Sequence, residues 1–193
     1  FDKIAAVESR GFVFASAVSY ILNKPFIMLR KKNKLPADVH SVDFELEYGT
    51  ATIEVHKDSI NKEDNVLIID DHVLVVYLYY SYINTFLDDM RVVVLGDFND
   101  LLIDDNNVFQ PFLSDMNNFY FTDYSIAQSS NYFWSFPSWP SHLDHILITN
   151  ELFTYILDTQ TVLVDGSLNG GLSAYDGYVS DHRPVMLKIL VND

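Results

Sequence analysis

The sequence predicts an α/β fold built around a parallel sheet. Three observations predict it. Short apolar runs of strand length stand at residues 3–8, 25–29 and 66–69. A longer stretch with helical punctuation separates the first two. Parallel strands need such a crossover, because a tight turn cannot return the chain to the starting edge. Chemistry-bearing residues also fall just after apolar runs, where strands of α/β proteins present their functional groups.

Lys-Ile-Ala-Ala-Val-Glu at 3–8 reads as a short buried strand that stops at Ser9-Arg10-Gly11. Phe12 to Leu22 reads as a helix, ended by Asn23-Lys24-Pro25, where proline blocks continuation. Pro25 to Leu29 is a second strand, followed by the basic segment Arg30-Lys31-Lys32-Asn33-Lys34 and closed by Leu35-Pro36. Phe44 to His56 alternates and predicts a hairpin turning at Tyr48-Gly49. Val66 to Ile69 is a β-branched strand ending in Asp70-Asp71.

The character changes after Asp71. Val73 to Met90 is apolar and aromatic, and Leu78, Tyr82 and Phe86 at helical spacing predict a helix in its later part. Arg91 to Leu95 is a buried strand that ends at Gly96-Asp97-Phe98-Asn99. Residues 100–140 read as loop, and Leu143 to Thr149 as another strand. Val162 to Val164 is expected as a third strand, Gly166 to Gly177 as a Gly-rich loop, and Val185 to Val191 as the final strand.

Composition narrows the chemistry. The 193 residues contain no cysteine, which excludes disulfides, thiol nucleophiles and Cys-ligated zinc. A cytoplasmic setting is the expectation. No apolar run reaches the 18 or so residues of a membrane span. Residues 1–72 carry 9 Lys+Arg and 12 Asp+Glu, whereas residues 73–193 carry 3 and 15. The net charge of −15 therefore sits mostly in the second segment. So few cations make a poor footprint for a long nucleic acid and suit a divalent cation better.

In the first segment, Glu8-Ser9-Arg10-Gly11-Phe12 lies where a strand meets a helix. Unpaired N–H groups at such a helix start favour anions, and an arginine adds a bidentate partner for phosphate. Lys34-Leu35-Pro36, Glu47-Tyr48-Gly49 and the run ending in Asp70-Asp71 follow in order. Across residues 1–71 this set resembles adenine phosphoribosyltransferase. The resemblance implies that Arg10, Lys34, Glu47, Tyr48, Asp70 and Asp71 descend from a site for phosphoribosyl pyrophosphate. The family continues with a Gly- and Thr-rich loop that cradles the 5′-phosphate. Here no glycine, serine or threonine stands between Asp71 and Ser81. Residues 1–72 are thus expected to be a fragment of that fold, without its cradle, joined through residues 73–90 to the rest.

In the second segment, Gly96-Asp97-Phe98-Asn99, Leu143-Asp144-His145-Ile146 and Ser180-Asp181-His182-Arg183-Pro184 each flank an apolar strand. In this order, with Ser135-Phe-Pro-Ser-Trp-Pro140 ahead of the second, they resemble the endonuclease/exonuclease/phosphatase (DNase I-like) superfamily over roughly residues 77–193. Residues 91–193 would form the C-terminal half of its α/β sandwich. The resemblance implies His182 as general base, Asp144 as the carboxylate that orients it, Asp97 and Asn99 as groups that position water, and Asp181 as a ligand of Mg2+ or Mn2+. Metal binding is expected to be weak, because the family's principal glutamate ligand has no counterpart here. The resemblance leaves the phosphate-ester substrate open among nucleic acid, phosphoinositide, sphingomyelin and small phosphodiesters, and the scarcity of cations makes a small ester the expectation. His40, His56, His72 and His142 are expected to be non-functional, and His145 to make a packing or polar contact beside Asp144.

Three functions are open: a Mg-dependent phosphoesterase with an incomplete site, a phosphoribosyltransferase fragment, or a non-catalytic fusion of two enzyme fragments. The last is the expectation for the whole molecule. Two half-sheets of separate origin would also leave unpaired edges and uncovered apolar faces, which predicts self-association unless they pack on each other.

Overall fold

The computed structural model describes residues 1–46, 49–69 and 76–190. The predicted α/β class holds, in the form of one large mixed sheet with helices and a small ribbon packed on it. β1 (Lys3–Val7), α1 (Arg10–Leu22) and β2 (Phe26–Lys31) form the expected parallel unit. α1 ends at Asn23 in a left-handed conformation, and the Lys24 N–H donates to the Ser19 carbonyl. Such a cap satisfies a terminal carbonyl before Pro25. β3 (Val39–Leu46) and β4 (Gly49–His56) make a hairpin that begins at Val39, earlier than the expected Phe44, and pairs Gly49, expected in the turn, with Leu46; the register is unbroken from there to Val39 opposite His56.

β5 (Val66–Ile69) lies parallel to β1. α2 (Val76–Phe86) then crosses over to β6 (Val92–Asp97), which pairs parallel with β5: Val66 with Val92, Leu67 with Val93, Ile68 with Val94, Ile69 with Leu95. The two segments therefore join edge to edge in one sheet of order β3-β4-β2-β1-β5-β6-β8-β7, with β7 at Phe119–Phe121 and β8 at Asp144–Thr149. The unpaired edges anticipated for separate half-sheets at this junction pair with each other.

Alternation divides the core between the two faces. Ala5, Val7, Ile27, Leu29, Val66, Ile68, Val92, Val94 and Leu147 face Tyr79, Tyr82 and Ile83 of α2 and the rings of Phe109 and Phe112. Ile4, Ala6, Leu67, Ile69, Val93, Ile146 and Ile148 face Ala15 of α1 at one end of the sheet. At the other end they meet a ribbon of β9 (Ile156–Thr161) and β10 (Val185–Ile189), through Ile156, Val185 and Leu187. The outer face of α1 leaves Val13, Phe14, Tyr20 and Ile21 exposed. Among the described residues no helix is long and apolar enough to cross a membrane.

Three expectations need correction. The third strand is β9, ending at Thr161, and not Val162–Val164; its polar, largely exposed residues hide it from a search for apolar runs. The Gly-rich loop contains a helix, α5 (Gly171–Tyr178), entered through Gly170 and Gly171 at φ of 104° and 57°. Gly170 caps the helix and Gly171 opens it, and buried Tyr175 anchors it. The loop-rich stretch 100–140 also holds α3 (Gln110–Leu113), β7 and α4 (Tyr124–Ala127). β7 buries Phe119 and Phe121 and exposes Tyr120, a three-residue alternation too short to stand out in sequence.

Candidate active site

β6 and β8 run antiparallel with Asp97 opposite Asp144. Both side chains leave the sheet on the face that carries Val93, Ile146 and Ile148. Two like charges directly opposite each other are unfavourable, so each carboxylate needs its own partner. Asp97 Oδ1 accepts the Asn99 N–H at 2.9 Å, a contact made possible by the left-handed turn at Asn99 (φ 51°). Asp144 Oδ2 lies 2.7 Å from His182 Nδ1. Ligand atoms of Asp97, Asp144 and His182 all fall within 4.8 Å of one another, so the three expected groups converge.

His182 is delivered by a loop held on several sides. Its N–H donates to Ser180 Oγ at 3.0 Å, and the Tyr175 hydroxyl donates to its carbonyl at 2.9 Å. Its ring stacks on Phe136, 4.7 Å between centroids and 23° between planes. The next residue, Arg183, is buried; its Nε and Nη2 grip Asp165 at 2.8 and 2.7 Å, and Nη1 donates to the Tyr132 carbonyl at 2.8 Å. This bidentate fork holds the Asp165 carboxyl below the usual carboxylate range.

The carboxylate at Nδ1 fixes the histidine tautomer. When His182 is neutral its proton sits on Nδ1, facing Asp144, and Nε2 carries the lone pair. The hydrogen bond to Asp144 raises the His182 pKa above its ordinary value; burial opposes the rise, and the charges of Asp144, Asp97 and Asp181 add to it. Partial burial pushes the Asp97 carboxyl up. The Asn99 N–H acts against that shift and the Asp144 charge adds to it.

A second cluster escaped the sequence reading. Asp123 is fully buried, and its Oδ2 meets His145 Nδ1 at 2.7 Å and His142 Nε2 at 3.1 Å, while Oδ1 accepts the Ile146 N–H at 2.8 Å. His145 Nε2 faces the Asp100 carbonyl at 2.9 Å. Both His145 nitrogens thus face acceptors, and both must carry protons, so the ring is an imidazolium paired with Asp123. Its pKa is raised accordingly: burial works against the charge, and Asp123 outweighs it. Burial likewise opposes ionisation of Asp123, yet the two histidines hold its carboxyl below the usual range. His142 Nδ1 accepts the Ser135 N–H at 3.2 Å, so its proton sits on Nε2, toward Asp123. A metal ligated through that nitrogen would move the proton to Nδ1, against the Ser135 N–H. The donor pattern therefore fits protons and not a metal ion. His145 makes the polar contact expected of it, on the opposite face of β8 from Asp144 and against Phe98, Phe109 and Phe121. His142, expected to be non-functional, is a structural link between Ser135 and Asp123; its only sequence signal is the three-residue spacing from His145.

The remaining expected residues are dispersed. Asp181 is exposed beside His182 and lies outside the group of three. Arg10, exposed, opens α1 at the end of β1, and the Lys34 carbonyl accepts Arg30 Nη1 at 3.2 Å while Arg30 Nε pairs with Glu8 at 2.8 Å. Glu47, Tyr48, Asp70 and Asp71 lie outside the described residues. Because β1, β5 and β6 are parallel, the Arg10 turn and Asp97 belong to the same edge of the sheet.

Comparisons with known proteins find both resemblances. Seventy residues are 87% identical to adenine phosphoribosyltransferase of Pelagibacter ubique, covering 36% of this chain and 40% of that protein. The enzyme of Agathobacter rectalis is 55% identical over 71 residues, covering 37% and 41%. The chain thus spans about two-fifths of the length of these curated relatives. The crystal structure of adenine phosphoribosyltransferase from Thermoanaerobacter pseudethanolicus is similar at 42% identity and a TM-score of 0.41, over 44% of this chain and 49% of that one. The profile of the Endonuclease/Exonuclease/phosphatase family matches residues 34–182. That match takes in β6, β8 and the loop ending in His182, and with them every group that converges on the site. On this ground the chain belongs to the endonuclease/exonuclease/phosphatase family.

Proposed function

We propose that the chain carries the base-bearing half of a metal-assisted phosphoesterase centre acting on small phosphate esters. The observation that carries this reading is the 2.7 Å pairing of His182 Nδ1 with Asp144 Oδ2, with Asp97 opposite Asp144. The Nε2 lone pair takes a proton from water as the water oxygen bonds to phosphorus. Asp144 holds the ring and stabilises the imidazolium that forms, which is the base–orienter logic of a triad. Asp97 and Asn99 orient the water, and the ester oxygen leaves with its bonding pair. The partly exposed setting of both members of the pair leaves the site open to a substrate.

The donor chemistry fits a hard cation, since Asp97 supplies carboxylate oxygens where it converges with Asp144 and His182, and Asp181 adds an exposed carboxylate next to His182 in sequence. These two residues would hold Mg2+ or Mn2+. When bound, the ion neutralises charge on the phosphoryl oxygens. The scarcity of cations in residues 73–193 favours small esters over long nucleic acids.

The test is release of p-nitrophenol from bis(p-nitrophenyl) phosphate with and without MgCl2 or MnCl2. Turnover that requires the divalent ion and falls on the order of 10²–10⁴-fold in His182→Ala is expected. Turnover indifferent to His182 would sink the reading.

The 87% identity over 70 residues supports a second reading, a phosphoribosyltransferase fragment. AMP formation from adenine and phosphoribosyl pyrophosphate tests it. Inactivity of the folded protein in both assays leaves a non-catalytic fusion.

A further inference from the structure

We propose that Ser135 is a positioning residue of the site, setting the separation between Asp144 and His182 from within the core. The proposal rests on the reading of those two residues as base and orienter.

Ser135 is fully buried and sits at the foot of a loop closed by paired backbone hydrogen bonds between Phe136 and Ser141, at 3.0 and 3.1 Å. That closure brings residue 135 alongside the entry to β8. Its side chain and both of its peptide groups are then used. Oγ accepts the N–H groups of Leu143 and Asp144 at 3.1 and 3.2 Å. Its carbonyl accepts the Arg183 N–H at 2.7 Å. Its N–H donates to His142 Nδ1 at 3.2 Å. Its neighbour Phe136 stacks on the His182 ring.

One residue is thereby tied to the backbone of Asp144, to the backbone next to His182, and to the buried Asp123–His142–His145 cluster. The last of these reaches the turn below Asp97, because His145 Nε2–H donates to the Asp100 carbonyl. Asp144 and the residue that follows His182 are thus anchored directly to Ser135, and the turn below Asp97 is reached through His142 by three further hydrogen bonds. A residue that filled space alone would need none of these contacts. A serine hydroxyl is the group required at Oγ, since it can accept two N–H bonds in a space that also excludes water.

The arrangement separates two contributions. Ser135→Ala removes the tie to Asp144 and leaves the peptide bonds to Arg183 and His142 in place. Asp144 loosens against His182 while the rest of the loop stays anchored. With bis(p-nitrophenyl) phosphate, kcat is expected to fall on the order of 10²-fold, the size of effect an ångström-scale misplacement produces. KM should stay within about twofold, because the groups that hold substrate are untouched. Ser135→Thr keeps the hydroxyl and should recover most of the loss.

A second measurement does not depend on turnover. The His182 Nδ1 proton, held by a carboxylate at 2.7 Å, should give a downfield proton resonance that is absent in Asp144→Asn. In Ser135→Ala that resonance should broaden or move upfield while the amide spectrum keeps its native dispersion. An unchanged resonance in the folded variant overturns the proposal, as does an unchanged kcat. Loss of native dispersion in Ser135→Ala together with failure of Ser135→Thr to restore the resonance also overturns it, since Ser135 would then be a packing residue. If the unmodified protein shows no turnover, the phosphoesterase reading fails, and the resonance still decides the role of Ser135.

Discussion

Asp144 and His145 are consecutive in β8, yet each belongs to a carboxylate–imidazole pair on its own face of the sheet. Asp144 meets His182 at 2.7 Å, with the two side chains 23% and 22% exposed. His145 meets Asp123 at the same distance, with both side chains fully buried. Equal geometry in unequal surroundings gives unequal chemistry. The exposed pair can exchange its proton with water and substrate. The buried pair is held as a fixed separation of charge, with every hydrogen-bonding position of the His145 ring already engaged.

Activity should depend on the ionisation of His182. The base works when neutral, so turnover is expected to rise with pH through a pKa above the ordinary histidine value. Asp144→Asn removes the hydrogen bond that is the largest cause of the rise. Its rising limb should move to lower pH while the plateau rate falls. A pH–rate profile of both proteins checks this, and an unshifted limb would separate Asp144 from the base.

His182 has the opposite effect on stability. A group whose pKa is raised on folding stabilises the folded state below its unfolded pKa, and that contribution is lost as pH rises through the folded value. The protein is therefore expected to lose a little stability over the same pH range in which it gains activity. Urea denaturation of the protein and of His182→Ala, compared across that range, measures the difference.

The buried pair gives a larger effect. Asp123→Asn leaves His145 without its counter-charge and should cost roughly 3–5 kcal/mol, as for other buried pairs broken on one side. In the parent protein the carboxyl of Asp123 is depressed, so its contribution is present above the ordinary carboxylate pKa and is lost as pH falls through the depressed value. The raised His145 contributes below its ordinary pKa and loses that contribution as pH rises through the raised one. Stability attributable to the pair should form a plateau between these limits, and the plateau should be missing from Asp123→Asn.

Asp165 clamps Arg183, the residue after His182. Asp165→Ala should destabilise by about 3–5 kcal/mol through the stranded guanidinium, with Asp165→Asn milder because it keeps one acceptor. Thermal melts of the two variants test the order.

The junction of the two segments should unfold as one unit. Ile68 is fully buried beside Val94, and Ile68→Ala should cost about 2–5 kcal/mol. Both tryptophans, Trp134 and Trp139, lie in the other segment. Their fluorescence should nonetheless shift at the same lowered midpoint as the far-ultraviolet circular dichroism. Two separated transitions would mean that the segments fold independently.

Much of this molecule was legible from residue order. Asp97, Asp144 and His182 were legible because their three motifs, standing in order beside apolar runs, resemble the endonuclease/exonuclease/phosphatase superfamily; no one of those motifs alone marks a site. The parallel unit of β1, α1 and β2 was legible because proline and a left-handed asparagine punctuate it. What stayed hidden depends on contacts between distant positions. Asp123 and His145 are 22 residues apart, and no local pattern marks them as partners. Ser135 opens the 135–140 segment that supports the resemblance, and its hydrogen bonds emerge only when the 136–141 loop closes. β9 and α5 were obscured by polar and glycine-rich composition, which describes their exposed sides and not their backbone. The pairing of β5 with β6 was hidden for a further reason: each segment taken alone offers an edge, and nothing in either names the strand that will lie against it.

That last pairing has a general consequence. A strand recognises its neighbour through amide spacing and through side chains of suitable bulk on alternate faces. Neither property records ancestry. Val92 to Leu95 can dock beside Val66 to Ile69 because four branched or bulky aliphatics meet four others at the right repeat. Any lineage that ends a coding segment on one such run and begins the next with a helix and another has met the main steric condition for a continuous sheet. The continuity of this sheet therefore asks only for matching strands, whatever the origin of the segments that supply them.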